Sequence, residues 1–421
     1  MSALACGCSN SDGGSPATPR NLLFLTVDTL RADRLGVYGA EPGNTPAIDA
    51  FARDAVIFEH AVSHASWTLP SYATILTSQH TSTHGCWNFE RRLSERFVTL
   101  PELFRDAGFR TAGIASHVFF DARYGLQQGF DTFDAELARR KGEPGWLRVT
   151  SPQVTDRALR WLEARAAAEP APWLLWLHYF DPHVPYVAHD LPPGAALPPE
   201  EERYRGEVAF TDRHVGRVLD ALGANGFSSD TVVVFVSDHG EAFEDHPGVR
   251  RHARSLYREE LQVPLVIRVP GLEPRRVPTP VGTVDILPTL LALFDIATDQ
   301  PLEGRSLLGA MRGEPLHPRP LLTELQLHEG HAARGLVEGR YKLIEDLSNQ
   351  VTHLYDLADD PAEARNLALD RPEVVESLRN TMQTLLERSR TRARAYPDTH
   401  PVSLTTEDLE HLDALGYIDA P

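Results

Sequence analysis

Four short apolar runs constrain this chain more than any other feature. They are NLLFLTVD (21–28), WLLWLHYFD (173–181), TVVVFVSDHG (231–240) and VPLVIRVPG (263–271). Continuous Val/Leu/Ile-rich runs of this length suit strands buried on both faces of a parallel sheet. Helical patterns lie between them: TPAIDAFARDAV (45–56), SPQVTDRALRWLEARAAA (151–168) and RYRGEVAFTDRHVGRVLDALGAN (203–225), the last two with apolar residues spaced three and four apart. Strands alternating with helices predict an α/β domain, a large doubly wound, mixed, mostly parallel sheet flanked by helices, over 20–315. The texture then changes. Residues 323–357 read as short strands with turns and 371–395 as a helix, so 316–421 is expected to be a small C-terminal α+β subdomain on a short antiparallel sheet. Residues 1–19 are a Gly/Ser/Pro-rich tether.

Charge narrows the partners. Among 421 residues, 41 Lys and Arg stand against 59 Asp and Glu, a net charge of −18. That disfavours nucleic acid and an anionic membrane as main partners, and no nucleic acid is expected, because both are bound through Lys and Arg. It leaves room for a local pocket that takes one anionic group. No run of about 20 apolar residues exists, so no transmembrane segment is expected. The three cysteines, Cys6, Cys8 and Cys86, give no disulfide framework. Around Cys6 and Cys8 the tether resembles the end of a lipoprotein signal without its basic and long apolar segments. A periplasmic or extracellular, lipid-anchored protein is one expectation. A disordered tail on a cytoplasmic protein is the other.

In open α/β sheets ligands bind beyond the carboxyl ends of the strands. Asp28 ends the first run, and Asp238-His239-Gly240 ends the third. Two carboxylates and an imidazole in these places could hold a divalent cation, or they could be two helix caps and a hydrogen-bonded histidine. Thr68, in SWTLPSYATILTSQHTSTHG (66–85), has two readings as well. Thr-Leu-Pro-Ser is a good helix start, so its hydroxyl could be a cap. It also stands at a helix N-terminus suited to an oxyanion, where a bound metal would make the hydroxyl a nucleophile. His183 in DPHVPY and His252 in GVRRHARSLYREE lie on strand-end loops, and either could be a general acid or hold a substrate oxygen. Arg31 and Arg34, close after Asp28, could meet an anionic substrate.

Together these segments resemble the sulfatase branch of the alkaline phosphatase superfamily. The likeness runs through VDTLRADRLGVYG, NTPAIDAFARDAVIFEHAV, WTLPSYATILTSQHTSTHG, HYFDPHVPY, VSDHGEAFEDH, SLYREELQVPLVI and TVDILPTLLALF. It continues in YKLIEDLSNQVTHLYDLADDPAEARNLA and HLDALGYI near the end. The resemblance implies metal ligands at Asp28, Asp238 and His239, a nucleophile at Thr68, and substrate contacts from His183 and His252; Thr68 as a further metal ligand and Arg31 as a substrate contact are expected from their positions alone. Many members have a lysine where His252 stands.

The departures from that pattern direct the chemistry. Sulfatases carry Cys or Ser before x-Pro-x-Arg and oxidise it to formylglycine. Here the stretch is Thr68-Leu69-Pro70-Ser71-Tyr72, so no formylglycine is expected. Asp28-Thr29 replaces two aspartates, and Asp238-His239 replaces Asp-Asn. The ligand set therefore moves toward one Mn2+ or Zn2+, with Ca2+ also possible. A formylglycine hydrate expels sulfate by breaking its own C–O bond, and a threonine ester has no such exit. In-line attack at phosphorus remains open to it. The first expectation is thus a metal-dependent enzyme that cleaves or transfers phosphate or phosphonate esters through a covalent Thr68 intermediate. The second is a sulfuric ester hydrolase without formylglycine, and the third an inactive binder of sulfated or phosphorylated polymers. The substrate is expected to be a small or polymer-linked phosphate or sulfate ester. Loops 86–97, 117–150 and 187–202 would select it.

Overall fold

A computed structural model describes residues 19–139, 150–190, 197–327, 331–396 and 401–418. The tether with Cys6 and Cys8, and parts of the loops 117–150 and 187–202, lie outside the described residues.

The apolar runs form the centre of a nine-stranded sheet. In chain order its strands are β1 (Asn21–Val27), β2 (Val56–Val62), β3 (Arg110–Ile114), β4 (Thr132–Asp134), β5 (Trp173–Tyr179) and β6 (Thr231–Ser237). A two-residue hairpin, β7 (Ala242–Phe243) with β8 (Arg250–Arg251), stands apart, and β9 (Gln262–Arg268), β10 (Arg275–Val277) and β11 (Val281–Gly282) complete the sheet. The spatial order is β10-β2-β9-β6-β1-β5-β3-β4, with β11 also on β2. Every residue of β1, β5 and β6 is buried, as strands covered on both faces require.

Successive side chains of β1 feed two separate cores. Leu22 and Phe24 join one, with residues of the Thr68–Thr77, Leu100–Asp106 and Ile286–Phe294 helices. Leu23, Leu25 and Val27 join the other, with the Pro46–Ala52, Ser151–Ala167 and Pro199–Ala224 helices. The period-two alternation of the strand thus makes the three-layer α/β arrangement.

One expectation needs correction. The fourth run, β9, was read with the other three as part of a parallel sheet, but it runs antiparallel to both β6 and β2. Parallel neighbours need a long crossover, usually a helix. Between β6 and β9 the chain offers only the small hairpin and the four-residue Arg258–Leu261 helix, so it returns in the opposite direction. The beginning of β9, rather than its end, therefore lies beside the ends of β1 and β6.

The C-terminal part forms a four-stranded antiparallel sheet, β12 (Leu321–Gln326), β13 (Ala332–Glu338), β14 (Tyr341–Asp346) and β15 (Val351–Asp356), in that order. The Pro372–Ala393 helix covers it, with Val375, Leu378, Met382 and Leu386 on Leu336, Leu343 and Leu354. The chain then runs to a last helix, Thr406–Ala414. Among the described residues no helix is long and apolar enough to cross a membrane.

Gly240 fixes how the chain leaves β6. A Cβ there would lie 2.0 Å from the Glu259 carbonyl oxygen, and the Gly240 N–H donates to the Glu260 carbonyl at 2.8 Å. Gly240→Ala is expected to push Asp238 and His239 off their positions, at a cost of about 1–3 kcal/mol for overpacking. Thermal melting should show that loss, and metal titration a weaker affinity.

Candidate active site

The register of the sheet builds the site. Val27 pairs with Tyr179 on one side and Ser237 on the other, so β1, β5 and β6 end level. The next residues of β1 and β6 are Asp28 and Asp238, side by side and fully buried. No hydrogen bond reaches any of their four carboxylate oxygens. His239 donates from Nδ1 to the Gly240 carbonyl at 2.9 Å. Its Nε2 therefore presents a lone pair, 3.5 Å from Asp28 Oδ1 and 3.4 Å from Asp238 Oδ2. The ligand atoms of Asp28, Asp238 and His239 all lie within 4.8 Å of one another.

Two buried carboxylates side by side disfavour their charged forms. Burial raises the Asp28 pKa well above normal, and the charges of Asp238 and Glu241 raise it further. Burial pushes Asp238 up to about 8. A divalent cation would supply a partner, and the hard oxygens with one imidazole suit one. The orphaned oxygens and the fixed His239 tautomer thus fit a divalent ion.

The same shifts give a pH prediction for the metal-free protein. The folded pKa of Asp238 is raised, so between its unfolded value near 4 and about 8 the folded state binds more protons. This carboxylate's contribution to stability is present below pH 4 and is lost as pH rises toward 8. Asp238→Asn is therefore expected to melt higher than wild type in chelator. The gap should open between pH 4 and 8, as melting curves across that range will show.

Thr68 is the first residue of the Thr68–Thr77 helix, and Trp67 is its N-cap. Its hydroxyl caps nothing. It lies 3.3 Å from His239 Nε2 and 2.8 Å from the Tyr417 hydroxyl. Tyr72, where the sulfatase pattern has arginine, is buried against Phe120, Trp176 and His178.

His183 and His252 stand over the same cluster with ring centroids 4.6 Å apart. His183 Nδ1 donates to the Val184 carbonyl, and His252 Nδ1 is held by Glu241 at 3.2 Å. Both Nε2 atoms are buried without a partner. Burial, aided by Arg254 and Arg251, pushes the His252 pKa down to about 3, and burial lowers that of His183 well below normal. With their Nδ1 atoms engaged, both rings turn Nε2 into the site, and burial disfavours their charged forms.

Arg31 is placed elsewhere. Its N–H groups go to Asp33, to Asp245 and to the Glu241 carbonyl. Five donors so engaged brace the loop after β1 and leave none for a substrate. Arg34 pairs with Glu201.

Four site residues escaped the sequence reading. His178, near the end of β5, reaches Asp28 Oδ2 at 3.3 Å. His117 follows β3 and forms a second possible ligand group with Asp28 and His183. Its Nδ1, however, accepts the Phe119 N–H at 3.2 Å, so Nε2 carries the proton and is a donor rather than a ligand. Asp28, Asp238 and His239 are thus the better ion site. Glu241 orients His252, and Tyr417 arrives from the far end of the chain. Only the tail segment HLDALGYI gave any hint of Tyr417.

A buried hydroxyl beside a cluster that could hold a divalent ion, at strand ends, is an arrangement suited to metal-dependent ester hydrolysis. The sulfatase family profile matches residues 20–296, and that of the N-sulphoglucosamine sulphohydrolase C-terminal region matches residues 251–392. The chain belongs to the sulfatase family. It is similar to an uncharacterized sulfatase of Escherichia coli (strain K12), 26% identical over 83% of each chain. A solved 2-O GAG sulfatase superposes with a TM-score of 0.75 at 23% identity, covering 90% of this chain and 95% of that one. The phosphonate monoester hydrolase of Agrobacterium radiobacter does so with a TM-score of 0.73 at 21% identity, covering 92% of this chain and all of that one.

Proposed function

We propose that this protein hydrolyses phosphate or phosphonate monoesters, with Thr68 as a covalent nucleophile. The observation that carries the reading is the Thr68 hydroxyl, which caps no helix and is aimed at His239 beside two orphaned carboxylates.

Asp28, Asp238 and His239 would hold the ion, with Mn2+ or Zn2+ favoured by the imidazole. The ion supplies charge to acidify the threonine hydroxyl and to neutralise the ester oxygens. Thr68 Oγ1 attacks phosphorus in line with the leaving alcohol. His252, oriented by Glu241, and His183 accept protons or bind ester oxygens through their free Nε2 atoms. An anionic ester beside these rings raises their pKa, and the charged ring then gives a proton to the leaving oxygen. His117 Nε2–H supports an oxygen in the same space. Water then attacks the threonyl phosphate and regenerates Thr68.

A second reading is hydrolysis of a sulfate ester, and the sulfatase relatives favour it. Against it stands the chemistry of Thr68: a threonine sulfate cannot release its group by C–O cleavage from an aldehyde hydrate. Water would have to attack sulfur.

A panel of aryl phosphate, aryl phosphonate monoester, phosphate diester and aryl sulfate, assayed with Mn2+ or Zn2+, separates the two. Faster turnover of the phosphate or phosphonate monoester supports the proposal, and turnover of the diester alone counts against its monoester form. Turnover of the sulfate alone overturns it in favour of the second reading.

A further inference from the structure

Tyr417 touches the oxygen proposed to react. Its hydroxyl lies 2.8 Å from Thr68 Oγ1 and 3.4 Å from His117 Nε2. The two histidines at the ends of this chain of contacts decide which oxygen donates. Burial disfavours charge on either ring. His239 Nδ1 faces the Gly240 carbonyl at 2.9 Å, and a carbonyl only accepts, so Nδ1 carries the proton and Nε2 the lone pair. Thr68 must then donate in its 3.3 Å contact with His239 Nε2, and its oxygen accepts from Tyr417. The other end gives the same order. His117 Nδ1 accepts the Phe119 N–H at 3.2 Å, so its Nε2–H points at the Tyr417 oxygen and leaves the phenol hydrogen for Thr68.

The fold holds the phenol in that place. Val402, Leu412, Leu415 and the Tyr417 ring all belong to the main hydrophobic core. The ring centroid lies 4.9 Å from that of His252, 5.3 Å from Phe119 and 6.0 Å from Trp67, the residue before Thr68. The backbone aims the side chain. After the Thr406–Ala414 helix comes Gly416 at φ +79°, a left-handed turn that suits glycine. The Tyr417 N–H then closes back on the Leu412 carbonyl at 2.9 Å. Arg254 Nη2 donates to the Gly416 carbonyl at 3.1 Å, and Arg123 binds Asp408 of the same helix with both arms.

The proposed chemistry asks for a donor at this oxygen. In its second half, water attacks the phosphorus of threonyl phosphate. The bond from phosphorus to the water oxygen forms, the P–Oγ1 bond breaks, and its electron pair stays on Thr68 Oγ1 until a proton of the water restores the hydroxyl. An alkoxide is a poor leaving group. A fixed donor already aimed at the oxygen stabilises the charge that grows there.

We propose that Tyr417 is a catalytic residue: its O–H donates to Thr68 Oγ1, orients that oxygen for attack, and stabilises it as the leaving oxygen when the threonyl phosphate is hydrolysed. The phenol keeps its own proton throughout. The inference rests on Thr68 being the reacting group, as in the proposed function, and it brings the far end of the chain into the chemistry.

The test is Tyr417→Phe, which keeps the ring and removes only the hydroxyl, in the full-length, Mn2+-loaded protein with an aryl phosphate. The kcat is expected to fall about 100-fold, the usual cost of losing one donor aimed at a reacting oxygen. KM should fall with it, and acid quench during turnover should find a larger share of Thr68 phosphorylated than in wild type, because hydrolysis of the adduct slows more than its formation. A merely structural role would not raise that share. Nitrogen NMR of labelled wild type in chelator reads the donation with no variant and no turnover. It should show His117 protonated at Nε2 and His239 at Nδ1. A kcat as in wild type, an adduct share no larger than in wild type, or the opposite tautomer at either ring overturns the role of Tyr417 and leaves the proposed function standing. Wild type that turns over the ester with no adduct on Thr68, and Thr68→Ala that turns it over as fast, would instead overturn the proposed function, and this inference with it.

Discussion

Thr68→Ala is expected to lower kcat for the best ester by about 10⁴-fold, the usual cost of removing a covalent nucleophile. The protein should stay folded. The lost hydroxyl contacts Tyr417 and His239, and Tyr417 keeps its contact with His117. The stability change is then that of one neutral hydrogen bond, about 1 kcal/mol. Thr68→Ser should keep most of the activity, because it removes a methyl group and not the nucleophile. Steady-state kinetics with matched melting curves check both. Were Thr68 merely a helix-start residue, Ala and Ser would differ little in rate.

Asp28→Asn carries the second large effect, with opposite signs in two measurements. Losing one of two carboxylates should weaken divalent-ion binding by at least about 100-fold, more than the loss of an outer-sphere partner. Turnover should fall with it. The metal-free protein, in contrast, should become more stable. Asp28 is wholly buried, which disfavours its charged form, and Asp238 and Glu241 repel its charge. Removing that charge relieves a strain held for function, worth about 1 kcal/mol or more. Mn2+ or Zn2+ titration and melting in chelator give the two numbers. A variant that binds metal as wild type does, or melts lower in chelator, would count against Asp28 as a ligand.

The strands were legible because burial on both faces leaves an unmistakable apolar run, as in Leu22–Val27 and Val232–Val236. Strand direction was not legible for β9. Its composition matches that of its parallel neighbours, and only the length of the connection before it carries the answer. Asp28 and Asp238 stood out in the sequence because each directly follows a buried run, with His239 next to Asp238, where a charged group has few structural reasons to be. Thr68 was ambiguous because a cap and a nucleophile at a helix start look the same in one dimension. The placement of Trp67 as N-cap removes the capping role.

Other parts of the site were hidden for different reasons. His178 lies inside an apolar strand, where the pattern gives its burial but not its neighbour. His117 and Glu241 gain their meaning from contacts across the sheet ends. Tyr417 is 349 residues from the hydroxyl it touches, and local periodicity carries nothing over such a distance. Arg31 was misleading because its place after Asp28 suggested an anion, whereas Asp33 and Asp245 supply the anions themselves.

The most direct measurement is an acid quench of metal-loaded protein during turnover of a phosphate monoester, followed by mass spectrometry of the peptide carrying Thr68. The account predicts a phosphoryl group on Thr68 in wild type and none in Thr68→Ala. A phosphoryl group on another residue, or full turnover by Thr68→Ala with no adduct in either protein, would contradict it.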